Sequence, residues 1–322
     1  MAKKKIGYWM KDGKAKRINI VRISELLLSK YGVELVELDA TQDTIPIVDV
    51  VFHKMSDLIF EARCGKAASV EQLGRFVQYF RCNPNVQVID PLSNMEVLLD
   101  RVPMLDAIQR CSNSCSPDTR IYSSGYHLVV DPADVAAKIA AKEFKFPLIC
   151  KSRIAQGAQG HNMSIIFNLA GLAEVKESNI IVPFIDHDAL LYKVFVCGDE
   201  YNVVTRPSIT LAKLQQHTAD TYHFHSDTVS KCNSSTTSRE QDDLCSMESF
   251  AGTPLSSDHM KQIPAWVRSL REALNLSLFG FDLLFETGTQ KPYVIDINYF
   301  PSYDGFQDFH DILCEMLYKA SL

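Results

Sequence analysis

Two arms of alternating residues joined by a short polar turn, running from Gly280 to Asn298, constrain this chain more than any other stretch. Phe279, Phe281, Leu283 and Phe285 share one face of the first arm, and Gly280, Asp282, Leu284 and Glu286 share the other, the period-2 pattern of a strand. Thr287-Gly288-Thr289-Gln290 supplies the turn. Closed symmetrically about Thr289, the hairpin sets Asp282 opposite Asp296 and Gly280 opposite Asn298. Two carboxylates so placed repel, and a bound cation removes that cost. Hard oxygen ligands from Asp282, Asp296 and Asn298 suit Mg2+, which shares its remaining positions with water and substrate phosphates. Gly280, lacking a side chain, is expected to leave room for such a phosphate. The alternative, a solvent-facing Asp296 and Asn298, is disfavoured because Val294, Ile295, Ile297 and Phe300 make the second arm apolar nearly throughout, so its polar pair needs a partner.

The 322 residues suffice for two or three domains with real cores. A net charge of −6 argues against a nucleic-acid binder, so any anion site must be a local cluster. The nine cysteines show no framework spacing, the usage of a reducing compartment. Cys111-x-x-x-Cys115 has no second pair to make a zinc site. No apolar run approaches a membrane span, and Met-Ala-Lys-Lys-Lys leads straight into a strand. The expectation is a cytoplasmic protein with no membrane or nucleic-acid partner.

Strands at Ile6–Met10, Val33–Leu38, Val48–His53 and Val86–Ile89, with a helix ending at Tyr31-Gly32, predict an α/β parallel sheet with its crevice at the strand ends. Those ends hold a lysine-rich loop (Lys11, Lys14, Lys16, Arg17) and His53-Lys54. Lys54 is the harder to dismiss as a surface residue, since it follows an apolar strand. Asp90-Pro91 stops the fourth strand, and Ser93 with Glu96 has capping-box spacing. The composition is loop-like from Cys111 to Gly125. Phe146–Ser152 and Met163–Phe167 then flank a loop rich in Gly and Ala, with Lys151 and Arg153 pointing one way and a backbone able to close over a polyphosphate. In the hairpin from Ala189 to Ser208, a turn centred on Asp199-Glu200 sets Lys193 opposite Arg206, two cations that need an anion between them. From Ile209 to Pro264 periodicity is lost. His217, His223 and His225 read there as surface residues, and the polar run from Asn233 to Asp243 as mobile. Helices follow through Trp266–Leu274 and Phe306–Leu317.

The assembled words resemble the ATP-grasp superfamily and, more closely, the inositol-tetrakisphosphate 1-kinase family, also described as inositol trisphosphate 5/6-kinase. They are Gly7-Tyr8-Trp9, His53-Lys54, Asp90-Pro91, Leu98-Leu99-Asp100-Arg101, Pro147 to Lys151, His161, Leu191-Tyr192-Lys193-Val194-Phe195-Val196, Arg206-Pro207-Ser208, Phe279 to Asp282 and Val294 to Pro301, in the family's order. The resemblance implies an α/β (α+β) ATP-grasp fold in three parts: an N-terminal parallel α/β domain over 1–92, a central subdomain over 93–182, and a C-terminal subdomain over 183–322 with a mobile insertion at 209–264. It implies that Arg101, Lys151, the hinge residues Val182, Phe184 and Ile185, Lys193, Ser208, Ser226 and Ser230 contact ATP. Lys14, Lys54, His161, Lys193 and Asn298 would face a phosphorylated inositol, joined by Arg206 as the partner of Lys193. Asp282, Asp296 and Asn298 would hold Mg2+, and Lys193, His161 and Asp296 would stand at the reacting groups. The chain departs from the family pattern at Val182-Pro183, Asn162 and Ser302.

The expected activity is transfer of the γ-phosphoryl group of ATP to a hydroxyl of a soluble inositol polyphosphate by a monomer, mostly through positioning and charge neutralisation. A carboxylate-amine ligase of the same fold would share Asp282, Asp296, Asn298 and Lys151 but lack the cations aimed at an acceptor. A silent inositol phosphate binder would lack the metal ligands.

Overall fold

In the computed structural model the described residues are 3–209, 219–226 and 255–322. Three sheets organise them. The first is parallel, in the order β2-β1-β3-β4, from β1 (Lys5–Trp9), β2 (Glu34–Glu37), β3 (Val50–His53) and β4 (Gln87–Ile89). β3 is buried along its whole length, as an interior parallel strand must be. The lysine-rich stretch after β1 is a short helix, α1 (Asp12–Arg17), and not a loop. Its partner α2 (Ile20–Tyr31) is capped by the Asn19 side chain and stopped by Gly32, whose φ of 67° suits a residue without Cβ. α3 (Ser56–Arg63) and α4 (Ala67–Cys82) complete this part.

Ser93 and Glu96 do not form a capping box. α5 (Leu92–Glu96) starts two residues too early, with Pro91 at the N-cap, Ser93 Oγ turns to Asn94, and Glu96 pairs with Arg63. The cap falls instead on α6 (Arg101–Ser114), where Asp100 accepts from the Val102 N–H. α6 extends helix into the stretch read as loop from Cys111.

The second sheet has the order β12-β8-β7-β9-β6 and the third β11-β10-β13-β14-β5. They draw on β5 (Tyr122–Ser123), β6 (His127–Leu128), β7 (Leu148–Ser152), β8 (Asn162–Ile166), β9 (Asn179–Pro183), β10 (Leu190–Cys197), β11 (Glu200–Pro207), β12 (Thr221–His225), β13 (Leu278–Phe285) and β14 (Pro292–Tyr299). α7 (Pro132–Ala140) belongs with the second sheet's apolar cluster through Val135. β12 lies inside the segment read as aperiodic: Thr221, His223 and His225 alternate with Tyr222 and Phe224, and the two aromatics pack with Ile165 and Ile209. Histidines on the outer face had masked the alternation.

α8 (Ser257–Leu274) buries Trp266, Val267, Leu270 and Leu274. α9 (Phe309–Ala320) docks on α2: Tyr31 and Tyr318 stack at 4.5 Å, Lys30 pairs with Asp311 at 2.5 Å, and His310 Nε2 donates to the Ile18 carbonyl. This contact fixes the parallel sheet against the third sheet. Asp90 adds a second tie, its carboxylate accepting from the Ser277 and Leu278 N–H groups at the start of β13.

Candidate active site

The hairpin β13–β14 carries Asp282 opposite Asp296 and Gly280 opposite Asn298, the expected register. The symmetry ends there. Leu283 pairs with Val294, so a bulge at Ile295 absorbs one residue between the acidic patch and the turn. Asn298 Nδ2 donates to Asp296 Oδ2 at 3.1 Å. Asp282 Oδ1 is buried and makes no hydrogen bond, although Lys193 Nζ stands 3.3 Å away as its ion partner. Burial pushes the Asp282 carboxyl up, and Lys193 opposes this only in part. Asp282 in turn holds the Lys193 ammonium above its usual range.

The expected space beside Gly280 is filled. A Cβ there would meet Pro301 Cγ at 3.1 Å, with Phe195 Cδ1 and the Val194 carbonyl at 3.3 Å. Gly280 therefore serves the close approach of Pro301 and β10, and leaves no phosphate-sized opening.

The turn of the basic hairpin lies one residue earlier than expected, which moves the pairing by two residues. Gly198, at φ 62°, and Asp199 form a two-residue turn, so Lys193 faces Val204 on β11 and Arg206 faces Leu191. Arg206 remains diagonal to Lys193 on the same face and its charge lowers the lysine's affinity for a proton. On its other side Lys193 lies in register with Asp282. The anion that balances it within the chain is thus a carboxylate.

On β7, Lys151 is buried, and burial brings its ammonium down to about 8 against the pull of Asp296 and Asp282 and with the push of Arg101. Arg101 opens α6 and donates to the carbonyls of Ser152 (2.7 Å), Ile154 (3.3 Å) and Gly160 (2.8 Å), leaving Nε buried without a partner. It braces both ends of the Gly-rich loop. Arg153 lies past the end of β7 and pairs with Asp100. At the loop's far end the Nδ1 of His161 lies 3.2 Å from Ser226 Oγ, and its ring lies 5.3 Å from that of His225.

The N-terminal lysines reach the same hairpin. Lys14 Nζ donates to the Pro301 carbonyl at 2.5 Å and lies 4.2 Å over the Phe300 ring. Lys54 donates to the Tyr299 carbonyl and lies 5.3 Å from that residue's ring centroid. Burial brings Lys14 down to about 6, helped by Lys54 and Arg17, and brings Lys54 to about 8. Both therefore flank the residues that follow Asn298. His53, by contrast, is a core residue: Nε2–H donates to the Asp90 carbonyl, Nδ1 accepts from the Met55 N–H, and burial lowers it to about 4.

Among the hinge residues, Val182 is buried in β9, the Phe184 N–H donates to the Pro147 carbonyl, and the Ile185 carbonyl is taken by His187. His187 had not been singled out in the sequence. Buried and kept from protonation by that burial, it donates from Nδ1 to Ile185 and accepts at Nε2 from Ser208 Oγ at 2.7 Å. One imidazole thereby joins the hinge to Ser208. The only sequence hint was its place between two aspartates, Asp186 and Asp188, in a short connection between strands. Ser230, the polar run from Asn233 to Asp243 and His217 lie outside the described residues.

Among the described residues no three His, Cys, Asp or Glu side chains cluster as a metal site. Two facing carboxylates, one with an unbonded buried oxygen, and a neighbouring amide still fit a Mg2+ that takes its other ligands from phosphate and water. No described helix is long and apolar enough to cross a membrane.

Comparison with known proteins places these residues in context. Residues 5–95 match the model of the inositol 1,3,4-trisphosphate 5/6-kinase pre-ATP-grasp domain, and residues 116–319 that of the ATP-grasp domain of the same kinase. The inositol-tetrakisphosphate 1-kinase of Xenopus laevis is 36% identical over 95% of this chain and 76% of its own length. That of Danio rerio is 32% identical over 96% and 77%. Among solved structures, the macrocyclase MdnC of Microcystis aeruginosa gives a TM-score of 0.61 at 12% identity, covering 98% of this chain and 99% of its own. A RiPP-associated ATP-grasp ligase of Chryseobacterium gregarium gives 0.59 at 13%, covering 98% and 97%. At these identities the structural likeness speaks for the ATP-grasp fold alone. The two family models and the Xenopus and Danio relatives together establish that the chain belongs to the inositol 1,3,4-trisphosphate 5/6-kinase family of the ATP-grasp fold.

Proposed function

We propose that this protein transfers the γ-phosphoryl group of ATP to a hydroxyl of a soluble inositol polyphosphate. The observation that carries the reading is the convergence of Lys14, Lys54 and Lys193 on one hairpin whose acidic face is Asp282, Asp296 and Asn298. ATP with a metal needs fewer cations than this, and the surplus matches a second, phosphorylated substrate. Mg2+ held by Asp282, Asp296 and Asn298 would supply the positive charge that offsets the phosphates. Lys151 and the loop braced by Arg101 bind and orient the triphosphate, with Ser226 and Ser230 completing that side. The hinge from Val182 to Ile185, with Ser208 held by His187, seats the base and sugar. Lys193 moves its charge from Asp282 to the transferring phosphoryl group, Arg206 supports it, and His161 hydrogen-bonds the acceptor. Catalysis is then positioning and electrostatics. The segment over 1–92 serves as the acceptor side, and the segments over 93–182 and 183–322 enclose the nucleotide.

An ATP-consumption assay tests the reading against inositol tris- and tetrakisphosphates, free inositol and amino-acid pairs. Each charge-assisted contact contributes roughly 1.5 to 3 kcal/mol, so two or three of them separate a polyphosphate from inositol by several orders of magnitude. Turnover is expected with the polyphosphates and not with inositol. Acyl-phosphate chemistry with amino acids and no transfer to any inositol phosphate would place the protein among the ligases.

A further inference from the structure

The Gly-rich loop from Ile154 to Gly160 is fixed at its base by the segment around α6. The Ala155 N–H donates to the Leu99 carbonyl, Arg101 takes the carbonyls of Ile154 and Gly160, and the Ala155 backbone leaves no room for a Cβ on Gly160. The tip meets a different part of the molecule. A Cβ on Gly157 would stand 2.9 Å from Phe60 Cε1 and 3.0 Å from Phe60 Cζ, so the ring edge of a residue on α3 lies against the glycine itself. Gly157 sits at φ 79°, a conformation that a residue without Cβ adopts freely, and it remains exposed. α3 is anchored on both sides of Phe60: Ser56, Leu58 and Ile59 are buried, and Glu61 accepts from Lys11, Lys66 and Ser69. Yet among the described residues the half-buried Phe60 joins none of the three apolar clusters. A large aromatic side chain on a rigid helix, left out of the core, turns its edge to the loop tip.

Resting on the nucleotide side of the kinase reading above, we infer that Phe60 is a positioning residue: its ring holds the tip of the Gly-rich loop in place over the triphosphate of ATP. A loop pinned at its tip as well as its base has less freedom to lose when the nucleotide binds, and it keeps the phosphates aligned during transfer. Gly157 is the loop residue that permits this, since any side chain there would collide with the ring.

The test measures steady-state kinetics, and binding of the Mg2+ complex of a non-hydrolysable ATP analogue, on the wild type, Phe60→Ala, Phe60→Leu, Phe60→Met, Gly157→Ala and the double variant Phe60→Leu with Gly157→Ala. Leucine lacks the two ring atoms that meet Gly157 but keeps an apolar stem on α3, so it serves if Phe60→Ala fails to fold. The KM for ATP and the Kd of the analogue are expected to rise about tenfold in Phe60→Ala and Phe60→Leu, the loss of one apolar contact of this size. The KM for the acceptor at saturating ATP and the Tm of Phe60→Leu hold, because the ring lies outside the core. Phe60→Met, which reaches as far as the ring, retains most of the affinity. Gly157→Ala drives a methyl into the ring and weakens the nucleotide, but with leucine at 60 the space is open. The double variant is therefore weakened by less than the product of the two single effects, the signature of residues in contact. A KM for ATP and an analogue Kd that stay at wild-type values in Phe60→Leu overturn the inference. So does a double variant whose loss equals that product, and so does a rise confined to the KM for the acceptor, which would give the ring to the other substrate. A wild type that binds no ATP analogue overturns the kinase reading and this inference together. One that binds it, shows the Phe60 effects and transfers to no inositol phosphate overturns the kinase reading alone.

Discussion

Lys14 shows what the site costs at the level of one residue. An ammonium on α1, half-buried beside Lys54 and Arg17 and desolvated there, is brought down to about 6 with only Asp304 and Asp57 pulling the other way. The unfolded chain therefore binds more protons than the folded one between about 6 and the ordinary lysine value of 10.5, and stability rises with pH through that window. Lys14→Met removes the penalty, so the Tm of the variant relative to wild type should climb as pH is lowered from about 10 to about 6, while acceptor affinity falls. A Tm difference that is flat or falls on acidification would refute the desolvated, proton-poor lysine. A polyanion on Lys14 reverses the desolvation, so acceptor binding near pH 8 should take up a proton. Titration calorimetry in buffers of different ionisation enthalpy reads this uptake, which the variant should lower, the remainder coming from Lys54, itself brought to about 8. The acidic side carries the opposite strain. Asp282 and Asp296 face each other across the strand pair, and like charges so placed cost up to about 1 kcal/mol. Asp296→Asn should abolish turnover yet leave the ligand-free Tm equal or up to about 3 °C higher. Full activity at ordinary Mg2+ would remove Asp296 from the metal set.

The hairpin was legible as an element because its large apolar residues alternate with period 2 on either side of a polar turn, and its two acidic positions fell into register as expected. The bulge at Ile295 was not legible, since Val294-Ile295 reads as continuous strand and only the paired backbone shows which residue is extra. The basic hairpin failed for a related reason: Gly198 and Asp199 are as plausible a turn as Asp199 and Glu200 until the left-handed φ of Gly198 is seen. β12 was lost because polar histidines occupy its outer face. His187 was lost because its work is to join two backbone segments far apart in sequence. Gly280 was assigned the wrong task, and this leads to a prediction for the element. Gly280→Ala drives a methyl against Pro301, Phe195 and the Val194 carbonyl, an overpacking worth about 1 to 3 kcal/mol. It also moves the residue whose carbonyl holds Lys14. Tm should drop and acceptor KM should rise together. A variant with wild-type Tm would mean that the hairpin yields more readily than its packing suggests.

Three sheets enclose a local excess of positive charge in a molecule whose net charge is −6, and the balance between the two sets how the whole protein meets a polyanion. The long-range field is repulsive and carries no steering of the kind that basic nucleic-acid binders use. On the proposed reading, acceptor affinity comes from contacts at Lys14, Lys54, Lys193 and His161 and not from the long-range field. The docking of α2 on α9, with the Tyr31–Tyr318 stack and the Lys30–Asp311 pair, holds the parallel sheet and the acidic hairpin at a fixed separation. Salt then acts in two ways. At an ionic strength near 0.15 M the screening length is about 8 Å, so added salt weakens the distant repulsion as well as the contacts at the rim, while buried pairs are screened less. The expected outcome is an acceptor affinity that falls as salt rises, but less steeply than the nearly one-for-one counterion release that each phosphate contact gives on a nucleic acid. The affinity for ATP should fall less again, because Lys151 and Arg101 are the more deeply buried cations. Measured Kd values across a salt series for both substrates decide this. An ATP affinity more salt-sensitive than that of the acceptor would mean that the exposed cations serve the nucleotide, and that the two sides of the cleft have been exchanged.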